Sequence, residues 1–157
     1  INETLAKVMH EKLTAVGGVA YSKDEEAFAN KIYSSFANPE AQLGDQAAIQ
    51  PYEKSLGYGS TDVGDVSYAV PTVGLRTAAW VPGTSAHSWQ AVAASGMSIG
   101  HKGAVVAAKS LTLTATELYQ NEGLRTAARA EFETARGPKY KYKSLLGDRK
   151  PPLDYRD

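Results

Sequence analysis

The residues best able to do chemistry lie in two polar, glycine-rich segments on either side of a run rich in β-branched and apolar residues. The first segment, residues 57–67, carries Asp62 and Asp65 between glycines. The second segment, residues 83–90, carries His87. Loops at the ends of rigid elements commonly supply the carboxylates and imidazoles of metal or acid–base sites. The two segments together therefore predict a candidate site.

Each candidate residue also has a purely structural interpretation. The imidazole of His87 could bind a divalent metal, or it could be a hydrogen-bonded histidine of a surface loop. Asp62 and Asp65 could hold a metal-ligating histidine in one tautomer, or they could cap a turn or a helix. His101 is expected to cap or pack, because its separation from His87 matches no recognised metal-binding spacing. The residues alone leave these alternatives open.

Other common chemistries receive little support. Ser88 is not part of a Gly-x-Ser-x-Gly elbow, which argues against a serine nucleophile. Gly57 and Gly59 do not open a helix after a strand, so they are not a dinucleotide-binding fingerprint.

Composition narrows the class of protein and its partners. The 157 residues include 17 acidic and 17 basic side chains, so the formal charge is zero. This balance favours neither a nucleic-acid nor a membrane partner. The absence of cysteine excludes disulfides and thiolate metal sites, and we expect a cytoplasmic protein. No apolar run approaches the roughly 20 residues of a membrane span.

Hydrophobic periodicity predicts four helices, two strands and a tail. The strands are expected at Val66–Val70 and Thr72–Val81, on either side of Pro71. The third helix has an apolar side formed by Val105, Ala108, Leu111, Ala115 and Leu118. The helices are expected at 1–16, from a Ser22–Glu25 capping box to near Phe36, at 99–119 and at 124–135.

These elements predict an α/β fold with an incomplete sheet flanked by helices. Two strands would leave exposed sheet edges. We therefore expect the remaining strands of the sheet to lie elsewhere in sequence. Residues 138–157 are expected to form an extended basic tail. Its lysines, arginines and tyrosines could touch nucleic acid, but the neutral overall charge favours a solvated tail.

Three segments give the chain a family resemblance. They are residues 59–67, residues 83–90 and Ile99-Gly100-His101-Lys102-Gly103. In order and spacing they resemble the C-terminal part of the p-aminobenzoyl-glutamate utilisation protein B group. That group belongs to the dinuclear-metal amidohydrolases, which include aminoacylases and carboxypeptidase G-type enzymes.

The resemblance implies a fold and a set of site residues. It implies that residues 1–137 are the C-terminal half of a zinc-peptidase-like, three-layer catalytic domain. It further implies that His87 ligates a divalent metal, zinc or manganese, and that Asp62 and Asp65 support the site. The family's other ligands and its general-base glutamate lie in the N-terminal half, for which this chain has no matching segment. Its first residue, Ile1 rather than Met, is consistent with a longer or processed product.

The function expected from the resemblance is that of one part of an enzyme. The chain would be the C-terminal portion of a metal-dependent amidohydrolase that cleaves N-acyl or aminobenzoyl-glutamate amides. It would be inactive in isolation, with no metal bound. Its expected partners are the N-terminal half of the catalytic domain, or a second copy of this chain, and a small amide substrate. The alternative is a non-catalytic truncated product or an oligomeric binding or structural module.

Overall fold

The computed structural model describes residues 1–54, 59 and 61–154. In that part of the chain, every regular element is helical. No helix within these ranges is both long enough and apolar enough to cross a bilayer. The helices are α1 (Glu3–Val16), α2 (Lys23–Tyr33), α3 (Val63–Ala69), α4 (Trp89–Ser95), α5 (Ser98–Gln120) and α6 (Glu122–Arg136), with a 3₁₀ turn at Asp45–Ala47.

The first two helices begin at side-chain caps that the sequence signals. The Asn2 side chain accepts a hydrogen bond from the Leu5 amide and donates one to the Ala128 carbonyl, which ties α1 to α6. At α2, Ser22 and Glu25 form the predicted capping box. Such caps satisfy amides that a helix leaves without partners at its start. The predicted helices at 1–16, after Ser22, at 99–119 and at 124–135 are confirmed.

Helix α5 is the central element and packs against α1, α4 and α6. A small residue lets an extended segment cross it closely. A Cβ on Gly103 would lie 2.7 Å from the Ala78 carbonyl oxygen. The Thr77 hydroxyl donates to the Gly103 carbonyl at 2.9 Å. Helix α5 therefore fixes the course of the segment that leads towards His87.

A compact apolar cluster lies beside this crossing. Ala29 and Ile32 of α2 pack with Val81 and with Ile99 of α5, and all four are buried. Burying side chains of this size is the main stabilising contribution of such a cluster. Val81 is therefore the anchored end of the extended segment.

The predicted α/β fold with a sheet is wrong for the described residues, which contain no strand. Residues 66–69 of the first predicted strand belong to α3, and Val70 caps its end. Thr72–Val81 runs without regular structure, and no ladder of a second strand pairs with it in the described ranges. The β-branched residues misled the prediction, because strand preference depends on a pairing neighbour. Residues 66–69 form helical hydrogen bonds instead, and Thr72–Val81 meets no pairing strand in the described ranges.

Candidate functional site

The loop that carries His87 begins at a turn anchored on the core. Val81 is 1% exposed. Its carbonyl accepts hydrogen bonds from both the amide and the hydroxyl of Thr84, at 3.1 and 2.6 Å. Gly83 has a φ of 85°, a backbone conformation that suits glycine. The turn therefore directs the chain out of the core towards the histidine.

A helix cap closes the other end of the loop. Ser88 accepts a hydrogen bond from the Ala91 amide at 3.2 Å and so caps the start of α4. The same hydroxyl donates to the Ser85 carbonyl at 2.7 Å. His87 precedes this cap, so its position is set by the turn before it and the helix after it.

His87 itself has an unusual backbone. Its φ is 59°, and it is the only non-glycine residue with a positive φ in the described ranges. The left-handed region costs an L-residue about 1 kcal/mol, although histidine tolerates it better than most. Its side chain is exposed. Backbone strain of this kind is often found at functional sites.

The two candidate carboxylates lie in the first turn of α3. The Asp62 carbonyl accepts from the Asp65 amide at 3.0 Å. Within the described residues, the Asp62 carboxylate makes no capping hydrogen bond. Both aspartates are exposed, and no residue of α3 is buried. Gly57, Tyr58 and Ser60 of the same glycine-rich segment lie outside the described residues.

The C-terminal tail contacts α3 at Asp65. The Tyr142 hydroxyl donates to the Asp65 carboxylate at 3.1 Å. The Tyr140 ring stacks on Tyr68, with 5.1 Å between ring centroids. Partial removal from water raises the pKa of Tyr142, and its hydrogen bond to Asp65 raises that pKa further. Asp65 thus already has a partner within the chain.

The structure does not join His87 to the aspartates. Within the described part of the chain, no hydrogen bond or ion pair links His87 to Asp62 or Asp65. No group of three or more histidine, aspartate or glutamate residues is arranged there to hold a metal. A catalytic zinc takes three protein ligands, so the described residues alone do not fit one. The metal assignment of His87 stays a prediction.

The segment Ile99–Gly103 has structural roles that sequence reasoning missed. Ile99 is fully buried, and the Lys102 ammonium donates to the Glu25 carboxylate at 2.5 Å and to the Ala20 carbonyl at 2.8 Å. His101 is exposed along α5 rather than capping or packing. No local pattern signals the Lys102–Glu25 pair, because its partners are distant in sequence.

Hydrogen bonds strongly perturb the Glu25 carboxyl. They lower its pKa to about 2, with Lys102 the largest contributor, followed by the Ser98 hydroxyl and the Ser22 amide. The Ser88 cap is an overlooked feature that does have a local signal, since a serine directly before a helix is a common start.

Comparison with known proteins gives one distant relative. The chain is similar to the B subunit of p-aminobenzoyl-glutamate hydrolase from Escherichia coli K12, with 29% identity over an alignment 157 positions long. The alignment covers 84% of this chain and 33% of that protein, so the chain spans about a third of the relative's length. No protein-family model matches the sequence, and no solved structure matches it. The chain is thus related to a hydrolase subunit.

Proposed function

We propose that this chain contributes to an amidohydrolase that cleaves p-aminobenzoyl-glutamate or similar N-acyl amides. The observation that carries the proposal is the similarity to a subunit of p-aminobenzoyl-glutamate hydrolase along 84% of the chain. The order of the polar segments around Asp62 and His87 agrees with this proposal.

Within that function, His87 is proposed as a metal ligand. Its exposed side chain and its left-handed backbone, held between the Val81 turn and the Ser88 cap, support this role. Asp62 and Asp65 would support the same site. The metal, zinc or manganese, would need further ligands, because the described residues offer no group of three.

The site would therefore be composite. The other ligands and the general base would come from a second polypeptide segment, either one equivalent to the N-terminal half of the relative or a second copy. The relative is named as a subunit, which supports an assembly of this kind. The 157-residue chain alone should then show no hydrolysis of p-aminobenzoyl-glutamate, with or without added zinc or manganese.

Substitutions at His87 test the proposal in the native assembly, purified with its co-purifying chains. His87→Gly and His87→Asn remove the imidazole yet accept a left-handed backbone. His101→Ala is the matched control, since His101 is also exposed. Release of p-aminobenzoate should disappear in both His87 variants and persist in His101→Ala. Full activity in His87→Gly would refute the role of His87.

A second candidate function is a non-catalytic oligomeric module. The lack of a three-residue metal group in the described part of the chain favours it. The two functions differ in one measurement on the native assembly. Metal-dependent hydrolysis of p-aminobenzoyl-glutamate supports the enzyme. Its absence in every co-purified form supports the module.

A further inference from the structure

Arg136, the last residue of α6, carries a guanidinium group without an anionic partner in the described part of the chain. Its Nε atom is buried and has no hydrogen-bond acceptor, the one side-chain atom of this kind among the described residues. Arg129 of the same helix, by contrast, pairs with Glu133 at 2.6 Å. A buried donor without an acceptor costs free energy and calls for an explanation. Contacts within the described chain therefore do not account for this guanidinium.

An aromatic ring holds the guanidinium in place. The Arg136 Cζ lies 4.6 Å from the centroid of the Phe132 ring, and Phe132 is buried. A cation over the face of a ring is attracted by the ring quadrupole. This contact orients the guanidinium without occupying its N–H donors. Because Nε is covered, a ligand would meet the outer Nη groups.

A cavity of about 230 Å³ lies beside Arg136. Phe132, Tyr68, Pro71 and Ala135 contribute apolar surface to its wall. Ligand sites are typically concave and mostly apolar, with a few polar groups that fix the orientation of the ligand. The volume is below the roughly 300 Å³ of the smallest drug-sized sites, so a ligand would be about as large as a single ring. The cavity therefore suits a small molecule with one apolar and one anionic end.

The hydroxyl groups in the wall already have acceptors. The Ser67 hydroxyl donates to the Gly64 carbonyl at 2.7 Å, and the Thr72 hydroxyl donates to the Val70 carbonyl at 2.9 Å. A phosphate needs several donors around its oxygens, and these hydroxyls do not offer theirs. A carboxylate has two oxygens, which match two parallel N–H groups of one guanidinium. The wall therefore favours a carboxylate over a phosphate.

Glu131 is the one carboxylate among the described residues of the wall, and it is bound to α1 instead. Its two oxygens accept hydrogen bonds from the Glu3 amide at 2.5 Å and from the Thr4 amide and hydroxyl at 2.9 and 2.6 Å. These bonds satisfy amides that α1 leaves without partners at its start. Glu131 is therefore not available to pair with Arg136.

We propose that this cavity binds a small aromatic carboxylate. The carboxylate would lie on the Arg136 guanidinium, and the ring would pack against Tyr68 and Pro71, because an aromatic wall favours a flat apolar partner. Neither His87 nor Asp62 lines this cavity. The inference stands apart from the hydrolase function, because binding here requires neither a metal nor hydrolysis.

Calorimetric titration of the full chain with benzoate and benzamide tests the role of the charge, since the two molecules have nearly the same shape. Benzoate should bind, and benzamide should bind roughly tenfold more weakly or less, because a hydrogen bond to an ionised group is about twice as strong as a neutral one. Inorganic phosphate should also bind more weakly than benzoate. No benzoate binding at millimolar concentration, or equal binding of benzamide or phosphate, would overturn the proposal.

Two arginines over one ring provide matched variants. The Arg129 Cζ lies 5.4 Å from the Phe132 centroid, but Arg129 does not line the cavity. Arg136→Gln should weaken benzoate binding by roughly tenfold or more, and Arg129→Gln should leave it unchanged. Arg136→Lys retains the charge without the planar pair of donors, so its affinity should be intermediate. Equal affinities of Arg136→Gln and Arg129→Gln would overturn the site, and circular dichroism checks that each variant is folded.

Chemical-shift mapping on the wild-type chain locates the ligand without any substitution. Benzoate should move the amide resonances of Tyr68, Thr72 and Ala135, which line the cavity. The amide of Gly96 at the end of α4, which does not line it, should stay unchanged. Shifts confined to residues outside the wall would show that benzoate binds elsewhere and would overturn the proposal.

Discussion

Lys102 of α5 donates a 2.5 Å hydrogen bond to the buried carboxylate of Glu25 in the first turn of α2. The same carboxylate accepts from the Ser22 amide at 2.6 Å, so one side chain completes the α2 cap and binds α5. Charge-assisted hydrogen bonds of this kind are stronger than neutral ones. The pair therefore links α2 to α5, the two helices that contribute Ala29, Ile32 and Ile99 to the cluster that contains Val81.

Protein stability should fall in acid because of Glu25. Its pKa drops from 4.5 to about 2 on folding. As the pH falls, the unfolded chain takes up the proton first, so the contribution is complete above about pH 4.5 and is lost between there and pH 2. Urea unfolding from pH 6 to pH 3 should show this decline. Glu25→Gln should reduce the slope of the free energy of unfolding against pH. An unchanged slope would show that Glu25 does not cause the decline.

Removal of the ammonium should also destabilise the fold. Lys102→Met leaves the Glu25 carboxylate without its strongest donor, although the Ser22 amide remains. The expected loss is about 2 kcal/mol in the free energy of unfolding at neutral pH. Urea denaturation measures it, and Lys109→Met on the same helix is the matched control. Equal effects of the two substitutions would show that the ion pair contributes nothing.

Gly103→Ala should disturb the crossing between α5 and the extended segment. The added Cβ would lie 2.7 Å from the Ala78 carbonyl oxygen and 2.8 Å from the Ala79 Cα, both backbone atoms that cannot rotate away. Overpacking of this kind costs about 1–3 kcal/mol. Gly64→Ala is the control, because its Cβ would meet nothing within 4 Å. The midpoint temperature of thermal unfolding should therefore fall for Gly103→Ala and stay unchanged for Gly64→Ala.

The sequence predicts the four longer helices but misses α3 and α4, and neither predicted strand forms, for a physical reason. The caps at Ser22 and the apolar spacing of residues 1–16 are local, so they can be recognised without the rest of the structure. The conformation of Val66–Val70 depends on whether a neighbouring strand is available, and nothing in the residues themselves reports that. The prediction of a sheet is wrong because strand formation depends on a pairing partner, which the local sequence does not reveal.

In the candidate site, too, local features can be predicted from the sequence and contacts between distant residues cannot. The sequence places His87 in a loop after a β-branched run, and the structure adds its left-handed φ and the caps around it. The contact between Asp65 and Tyr142 joins residues 77 positions apart. No spacing rule predicts such a pair, because it depends on where the tail lies against α3.

The tail contact predicts a localised change in protease sensitivity. Tyr142→Phe removes the hydroxyl that donates to Asp65, so residues beyond 137 should be cut faster by trypsin at their lysines and arginines. Global stability should hardly change, because the contact is exposed. Tyr119→Phe is the matched control, since that ring is 87% exposed on α5. Equal cleavage rates in the two variants would show that the Asp65 contact does not hold the tail.

The strain at His87 can be separated from its chemistry with two substitutions. His87→Val places a β-branched residue at a φ of 59° and should lower the free energy of unfolding by about 1–2 kcal/mol. His87→Gly accepts that φ, so its stability should stay within about 1 kcal/mol of wild type. Both variants lack the imidazole, so any property lost only in His87→Val reports the backbone and any property lost in both reports the ring. Urea denaturation of the two variants measures the backbone strain. If His87→Val is as stable as His87→Gly, His87 does not adopt the left-handed conformation.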